Sequence, residues 1–103
     1  MIEKRKFHRV QLSSRTILSQ QEGIHHGQLM NISMNGALVR LEFGTYIPKG
    51  NEYDLMVYIE SENLPLQFKV EVVSTTFAMA GVKFVSYDGD TKTRLEDLLK
   101  KHS

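Results

Sequence analysis

The chain has 103 residues and a net charge of +1, with 41% hydrophobic and 24% charged residues, which is ordinary for one globular domain. This balance argues against a general nucleic-acid binder, which usually carries a large positive excess. The absence of cysteine excludes disulfides, and no apolar stretch approaches the ~20 residues that span a bilayer, so we expect a cytoplasmic protein without membrane insertion.

The first nine residues form a basic segment ahead of the first apolar run. It contains Arg5-Lys6-Phe7-His8-Arg9, an R-x-x-x-R pattern, and Lys4 adds to its charge. The planar fork of arginine fits phosphate oxygens and the guanine O6/N7 edge, and its flat face stacks on a base. Residues 1–9 are therefore predicted to be an arm that attracts a small, flat anion, with a solvated basic terminus as the alternative.

Weak strand signals cover residues 9–19 and 24–32, and a second polar pattern follows them. This is Asn31-Ile32-Ser33-Met34-Asn35-Gly36, an N-x-S-x-x-G. Asn31 and Ser33 are two apart, so in a strand they would point to the same side, where both can hydrogen-bond a base edge or a phosphate. Gly36 can take a positive φ and lets backbone approach a ligand closely. The alternative is a plain Asn-Gly hairpin.

The middle of the chain alternates with period two, which is typical of half-buried strands. The apolar sets are Ala37, Val39, Leu41 and Phe43; Tyr53, Leu55, Val57 and Ile59; and Leu66, Phe68, Val70 and Val72. A weaker strand signal covers residues 77–86. Six short strands joined by tight turns predict a mainly β protein, with a six-stranded antiparallel barrel over residues 10–86, because closure removes exposed edges.

The C-terminal residues change to a helical period. Leu95, Leu98 and Leu99 form one apolar stripe. Asp88 or Asp90 can cap the helix start, and the basic residues at 100–102 suit its C-terminal dipole. We predict a helix over residues 88–102 that packs on the barrel, since so short a helix is marginal alone.

The rest of the sequence shows no evident metal-binding or catalytic set of residues. His25 and His26 are adjacent, so in a strand they point to opposite faces and make a poor metal pair. No nucleophile with a base and an orienting group is visible. We therefore expect neither enzymatic activity nor a metal or cofactor.

Together these patterns resemble the PilZ domain, a bacterial receptor module for cyclic di-GMP. The residues that carry the resemblance, in the order and spacing of the family's R-x-x-x-R and [D/N]-x-S-x-x-G motifs, are Arg5, Arg9, Asn31, Ser33 and Gly36. The run Gly81-Val82-Lys83-Phe84 is similar to the G-x-x-F of a late barrel strand. The resemblance covers the whole chain, so residues 1–103 are expected to form a single domain.

The resemblance implies a binding site. Arg5 and Arg9 would clamp cyclic di-GMP, Asn31 and Ser33 would contact it from the barrel surface, and Gly36 would permit the turn. The arm would be mobile without ligand and ordered with it, which changes the surface that a partner meets.

Lys4 precedes Arg5, where some members of the family that this chain resembles carry another arginine, and a basic residue there is associated with binding a stacked pair of ligands. This favours two ligands per domain. The partner that receives the signal would be an effector protein or a second copy of the chain, and the family suggests motility, adhesion or exopolysaccharide control as outputs.

Two other functions stay open on the sequence. One is a degenerate PilZ module that acts only through protein contacts, and the arginines argue against it. The other is a small nucleic-acid-binding barrel, against which the near-neutral charge and the lack of an obvious aromatic platform weigh.

Overall fold

Six strands and one helix make up the part of the chain that the structure, a computed structural model, describes: residues 9–21, 23–42, 44–60 and 62–102. The elements are β1 (Val10–Gln20), β2 (Gly23–Ile32), β3 (Gly36–Leu41), β4 (Glu52–Tyr58), β5 (Leu66–Thr76), β6 (Met79–Ser86) and α1 (Gly89–Lys101). All six predicted strands and the predicted helix are confirmed.

The strands close into a barrel in the order β1-β2-β3-β6-β5-β4, and every neighbouring pair is antiparallel. Hairpins join most neighbours along the chain, whereas β3 pairs with β6 and β1 pairs with β4 across longer separations. Closure gives every strand two hydrogen-bonded partners, so the barrel presents no open edge. The predicted antiparallel barrel is confirmed.

The barrel interior is filled by the apolar sets that alternate in sequence. Val39, Leu55, Val57, Val70 and Val72 are each 0% exposed, and burial of one such side chain stabilises the fold by roughly 1.5–3 kcal/mol. Phe43, which the alternation placed on the same face, lies outside the described residues.

Helix α1 begins where Asp88 caps it, with the Asp88 carboxylate accepting a hydrogen bond from the Thr91 backbone N–H at 2.8 Å. The predicted apolar stripe is buried at positions 95, 98 and 99, and the helix packs against β5. Its last turn carries Lys100 and Lys101. Among the described residues, no helix has the length and apolar character to cross a membrane.

Two β-bulges interrupt the strand pairing close to the N-x-S-x-x-G pattern. One lies in β1 between Gln11 and Ser14, and the other lies in β2 between Leu29 and Asn31. A bulge adds one residue to one strand and shifts the side-chain alternation that follows it. The β2 bulge therefore decides which way Asn31 faces.

Candidate functional site

The two polar motifs meet at one end of the barrel. Arg9 directly precedes β1, Asn31 lies near the end of β2, and the register pairs Val10 with Ile32 and Gln11 with Asn31. The Arg9 Nη1 donates a hydrogen bond to Asn31 Oδ1 at 2.7 Å, in an exposed position. Two residues that are 22 apart in the chain are thus held together on the outer surface.

The remaining residues of the basic arm cannot be placed in the same way. Lys4 and Arg5 lie outside the described residues. Arg9 has five guanidinium N–H groups, and the bond to Asn31 is its one hydrogen bond within the described part of the chain. Arg9 therefore retains donors that a bound anion can use.

The β2 bulge places Asn31 outside the barrel. Strict alternation would put Asn31 on the buried face with Leu29, which is 0% exposed. Met30 is the extra residue of the bulge, so the next side chain after Leu29 that faces the interior is Ile32, which is also 0% exposed. Met30 and Asn31 are both half-buried on the outside. The Asn31 carboxamide can therefore reach Arg9 and a ligand.

Ser33 has a different environment from the one that alternation predicts. It follows the end of β2 and is 0% exposed. Its hydroxyl donates to Asn35 Oδ1 at 2.8 Å and accepts from the Asn35 backbone N–H at 3.3 Å, while the Ser33 N–H donates to the Gly36 carbonyl at 2.9 Å. The prediction that Asn31 and Ser33 point to the same side holds only within a strand and does not apply here, because Ser33 lies beyond the end of β2.

Gly36 is also required for a reason other than the expected one. It does not have a positive φ, which among the described glycines occurs at Gly44 and Gly50. A Cβ built at Gly36 would overlap the carbonyl oxygen of Val82, which lies on the neighbouring strand β6. The absent side chain therefore permits the close approach of β3 to β6, and the close contact at this position is with protein backbone.

The third sequence motif, the G-x-x-F pattern on β6, contacts the turn that follows β2. Gly81 and Phe84 lie on β6 as the G-x-x-F pattern predicts. The Phe84 N–H donates to the Asn35 carbonyl at 2.8 Å, and the Phe84 ring stacks on Phe68 with centroids 4.0 Å apart. The late strand and the N-x-S-x-x-G motif are therefore parts of one structural unit.

Sequence reasoning missed Tyr87, which donates its hydroxyl to the Met34 carbonyl at 2.8 Å. The two residues are 53 apart in the chain, and no local pattern marks such a contact. Burial, and to a lesser extent the nearby Glu96 carboxylate, raise the pKa of Tyr87 above its ordinary value. The hydroxyl therefore remains protonated and able to donate at neutral pH.

A concave surface of about 420 Å³ adjoins Asn31, with Gln11, Ser13, Met30 and Leu38 among its lining residues. A larger one of about 510 Å³ has Glu52, Asp54 and Lys69 among its lining residues. Its carboxylates disfavour an anionic ligand, so size alone does not identify the site. Among the described residues, no group of three or more histidine, aspartate or glutamate side chains is placed to hold a metal ion.

Comparison with known proteins identifies the architecture. The PilZ domain of YcgR from Escherichia coli, solved with c-di-GMP, has a TM-score of 0.82 at 12% sequence identity, over 97% of this chain and 92% of that one. The PilZ domain of CeSA from a cellulose-synthesizing bacterium has a TM-score of 0.71 at 14% identity, over 91% of this chain and 96% of that one.

A longer protein contains the same unit. The Bacillus subtilis inhibitor of motility (MotI/DgrA) has a TM-score of 0.81 at 16% identity, over 97% of this chain and 51% of that one, so this chain spans about half of that protein's length. At these identities the likeness establishes the fold. A search of the curated proteins gave no match. The family model for the PilZ domain matches residues 3–101, and the chain therefore belongs to the PilZ domain family.

Proposed function

We propose that this protein is a receptor for cyclic di-GMP that binds the dinucleotide between the basic arm and the end of β2. The observation that carries the proposal is the hydrogen bond from Arg9 Nη1 to Asn31 Oδ1, because it joins the two motifs on one exposed surface. The similar PilZ domain of Escherichia coli YcgR, which was solved with c-di-GMP, supports the same ligand.

The chemistry of this pair suits a guanine dinucleotide. The Arg9 guanidinium can pair with a phosphate or with the O6/N7 edge of guanine while its face stacks on a base. The Asn31 carboxamide offers a donor and an acceptor side by side for a base edge. Arg5, in the segment outside the described residues, would supply a second guanidinium.

Ser33 and Gly36 would contribute by shaping the turn. The Ser33 hydroxyl is buried and is bonded to Asn35, so its first effect on the ligand is to fix the chain that follows Asn31. A direct contact from Ser33 to the nucleotide would require this turn to open. Gly36 keeps β3 against β6 and so holds the same turn in place.

We propose no catalytic step for this chain. We also propose that it acts in the cytoplasm. Binding would pass a signal by changing the surface that an effector protein, or a second copy of the chain, contacts. A ligand can shift such an equilibrium only by its differential affinity for the two states.

Calorimetric titration of the purified chain tests the proposal. We expect saturable binding of cyclic di-GMP at micromolar concentration or below, little heat from GTP, and a large loss of affinity in Arg5→Ala and in Arg9→Ala. Arg40→Ala is the matched control, because Arg40 is an exposed arginine on β3 and should leave the affinity unchanged.

Two outcomes would overturn the proposal. Absence of binding by the wild-type chain at high ligand concentration would leave a module that acts through protein contacts alone. Saturable binding of single-stranded DNA without a response to the dinucleotide would favour a nucleic-acid-binding barrel.

A further inference from the structure

We infer that Tyr87 is a positioning residue that fixes the turn at residues 33–36, the motif turn, and links it to helix α1. Its relevance to the ligand rests on the proposed function. The Tyr87 hydroxyl donates to the Met34 carbonyl at 2.8 Å, and Met34 occupies a variable position inside the N-x-S-x-x-G pattern. Because the acceptor is a backbone carbonyl, the contact does not depend on the side chain at position 34.

The Tyr87 ring is held by packing on two other aromatic rings. It meets Phe68 edge-on with centroids 5.2 Å apart, and it meets Phe84 edge-on at 5.6 Å. Such edge-to-face pairs contribute beyond their buried area. These three rings, Phe68, Phe84 and Tyr87, form an aromatic cluster that fixes the direction of the Tyr87 hydroxyl toward the Met34 carbonyl.

The aromatic cluster contains a second residue, Phe84, that is hydrogen-bonded to the motif turn. The Phe84 N–H donates to the Asn35 carbonyl at 2.8 Å, so two successive carbonyls of the turn, at Met34 and Asn35, accept hydrogen bonds from β6 and the residue just beyond it. Within the turn, Ser33 and Asn35 are bonded to each other. A change in the Tyr87 contact is thus transmitted directly to the residues that follow Asn31.

Tyr87 also lies at the junction with α1, because the next residue is the helix cap Asp88. Farther along the helix, the Arg94 Nε donates to Glu62 Oε1 at 3.1 Å, and the guanidinium also donates to the Leu64 and Pro65 carbonyls. The helix therefore connects the motif turn to the segment between β4 and β5. A ligand that binds one arrangement of the motif turn more tightly would therefore also shift the arrangement of α1 and of the segment between β4 and β5.

Tyr87→Phe tests this role, with Tyr58→Phe as the matched control. Tyr58 is a half-buried tyrosine on β4, and within the described part of the chain its hydroxyl makes one weak contact, to the Met56 sulfur at 4.0 Å. In the free protein, amide hydrogen exchange of Ser33 and Asn35 followed by NMR should be several-fold faster in Tyr87→Phe and unchanged in Tyr58→Phe. Equal exchange rates in wild type and Tyr87→Phe would overturn the inference.

The ligand-dependent readouts separate positioning from general stability. At a temperature where all variants are folded, Tyr87→Phe should weaken cyclic di-GMP binding about fivefold. It should also abolish the ligand-induced chemical-shift changes that we expect at Thr91 and Leu95 in the wild type. Faster exchange with unchanged affinity and unchanged shifts would overturn the positioning role and assign Tyr87 to fold stability.

Failure of the proposed function gives a different result. If the wild-type chain does not bind the dinucleotide, that function is contradicted. The exchange rates of Ser33 and Asn35, compared between Tyr87→Phe and Tyr58→Phe in the free protein, then still test whether the Tyr87 hydroxyl holds the motif turn, and equal rates overturn that contact's role independently of the ligand.

Discussion

The guanidinium of Arg9 and the carboxamide of Asn31 form a 2.7 Å hydrogen bond between the residue before β1 and the end of β2. Strand pairing brings the two residues to the same level of the barrel, and the β2 bulge turns Asn31 outward. The bond therefore depends on a local irregularity as well as on the barrel. Two groups with the hydrogen-bonding chemistry to bind a guanine nucleotide are therefore adjacent in this structure.

Lys4 gives a prediction about stoichiometry. We expect two molecules of cyclic di-GMP per domain, because a basic residue ahead of Arg5 can neutralise part of the charge of a stacked ligand pair. Calorimetry should give a ligand-to-protein ratio near two for the wild type and a lower ratio for Lys4→Ala. Lys6→Ala, which removes one charge from the same segment, is the control. A ratio of one for the wild type would contradict this prediction.

Gly36→Ala should destabilise the barrel by about 1 to 3 kcal/mol, the usual range for overpacking. The added methyl group would meet the Val82 carbonyl of the neighbouring strand, and backbone cannot move aside as a flexible side chain can. Urea denaturation measures the change. Gly23→Ala is the control, because a Cβ there meets nothing within 4 Å. Equal effects of the two substitutions would show that strand contact is not the reason for glycine at position 36.

Thr16→Val should raise the free energy of unfolding by about 1 kcal/mol. Thr16 is 0% exposed, and its Oγ1 has no hydrogen-bond partner among the described residues, so valine removes a desolvated polar atom at nearly constant volume. Thr76→Val, at an exposed position on β5, should change the same quantity by less than about 0.5 kcal/mol. A loss of stability in Thr16→Val would show that the hydroxyl is satisfied in solution.

Asp88 should make the helix sensitive to acid. Hydrogen bonds from Thr91, with a smaller contribution from Arg94, hold the pKa of Asp88 below its ordinary value. Its stabilising contribution is therefore present above the ordinary pKa and is lost as the pH falls through the lowered one. Thermal denaturation between about pH 5 and pH 2 should show a shallower acid dependence for Asp88→Asn, which keeps a cap without a titrating group. An unchanged acid dependence would contradict this assignment.

Much of the fold could be predicted because its signals are local. Alternation along β3, β4 and β5 reflects residues that face the interior in turn, and the stripe of Leu95, Leu98 and Leu99 reflects one face of a helix. Turn residues and Asp88 mark the element ends. These signals are sufficient for a six-stranded barrel with a terminal helix.

The details of the site could not be predicted because they depend on contacts across the chain. No residue near Met30 marks the bulge that turns Asn31 outward, and nothing in the sequence marks the end of β2 at Ile32, beyond which Ser33 is buried. The Tyr87–Met34 bond joins residues that are 53 apart, and the reason for Gly36 lies on β6. The motif residues could be chosen from the sequence, whereas the burial of Ser33 required the three-dimensional arrangement.

The central claim is that Arg9 and Asn31 bind the dinucleotide together, and a double-mutant cycle in cyclic di-GMP affinity tests it most directly. Arg9→Ala and Asn31→Ala should each weaken the calorimetric Kd by about tenfold or more. The double variant should lose less than the product of the two single losses, because the residues act as one unit. Wild-type affinity in both single variants, or strictly multiplicative losses, would contradict the account.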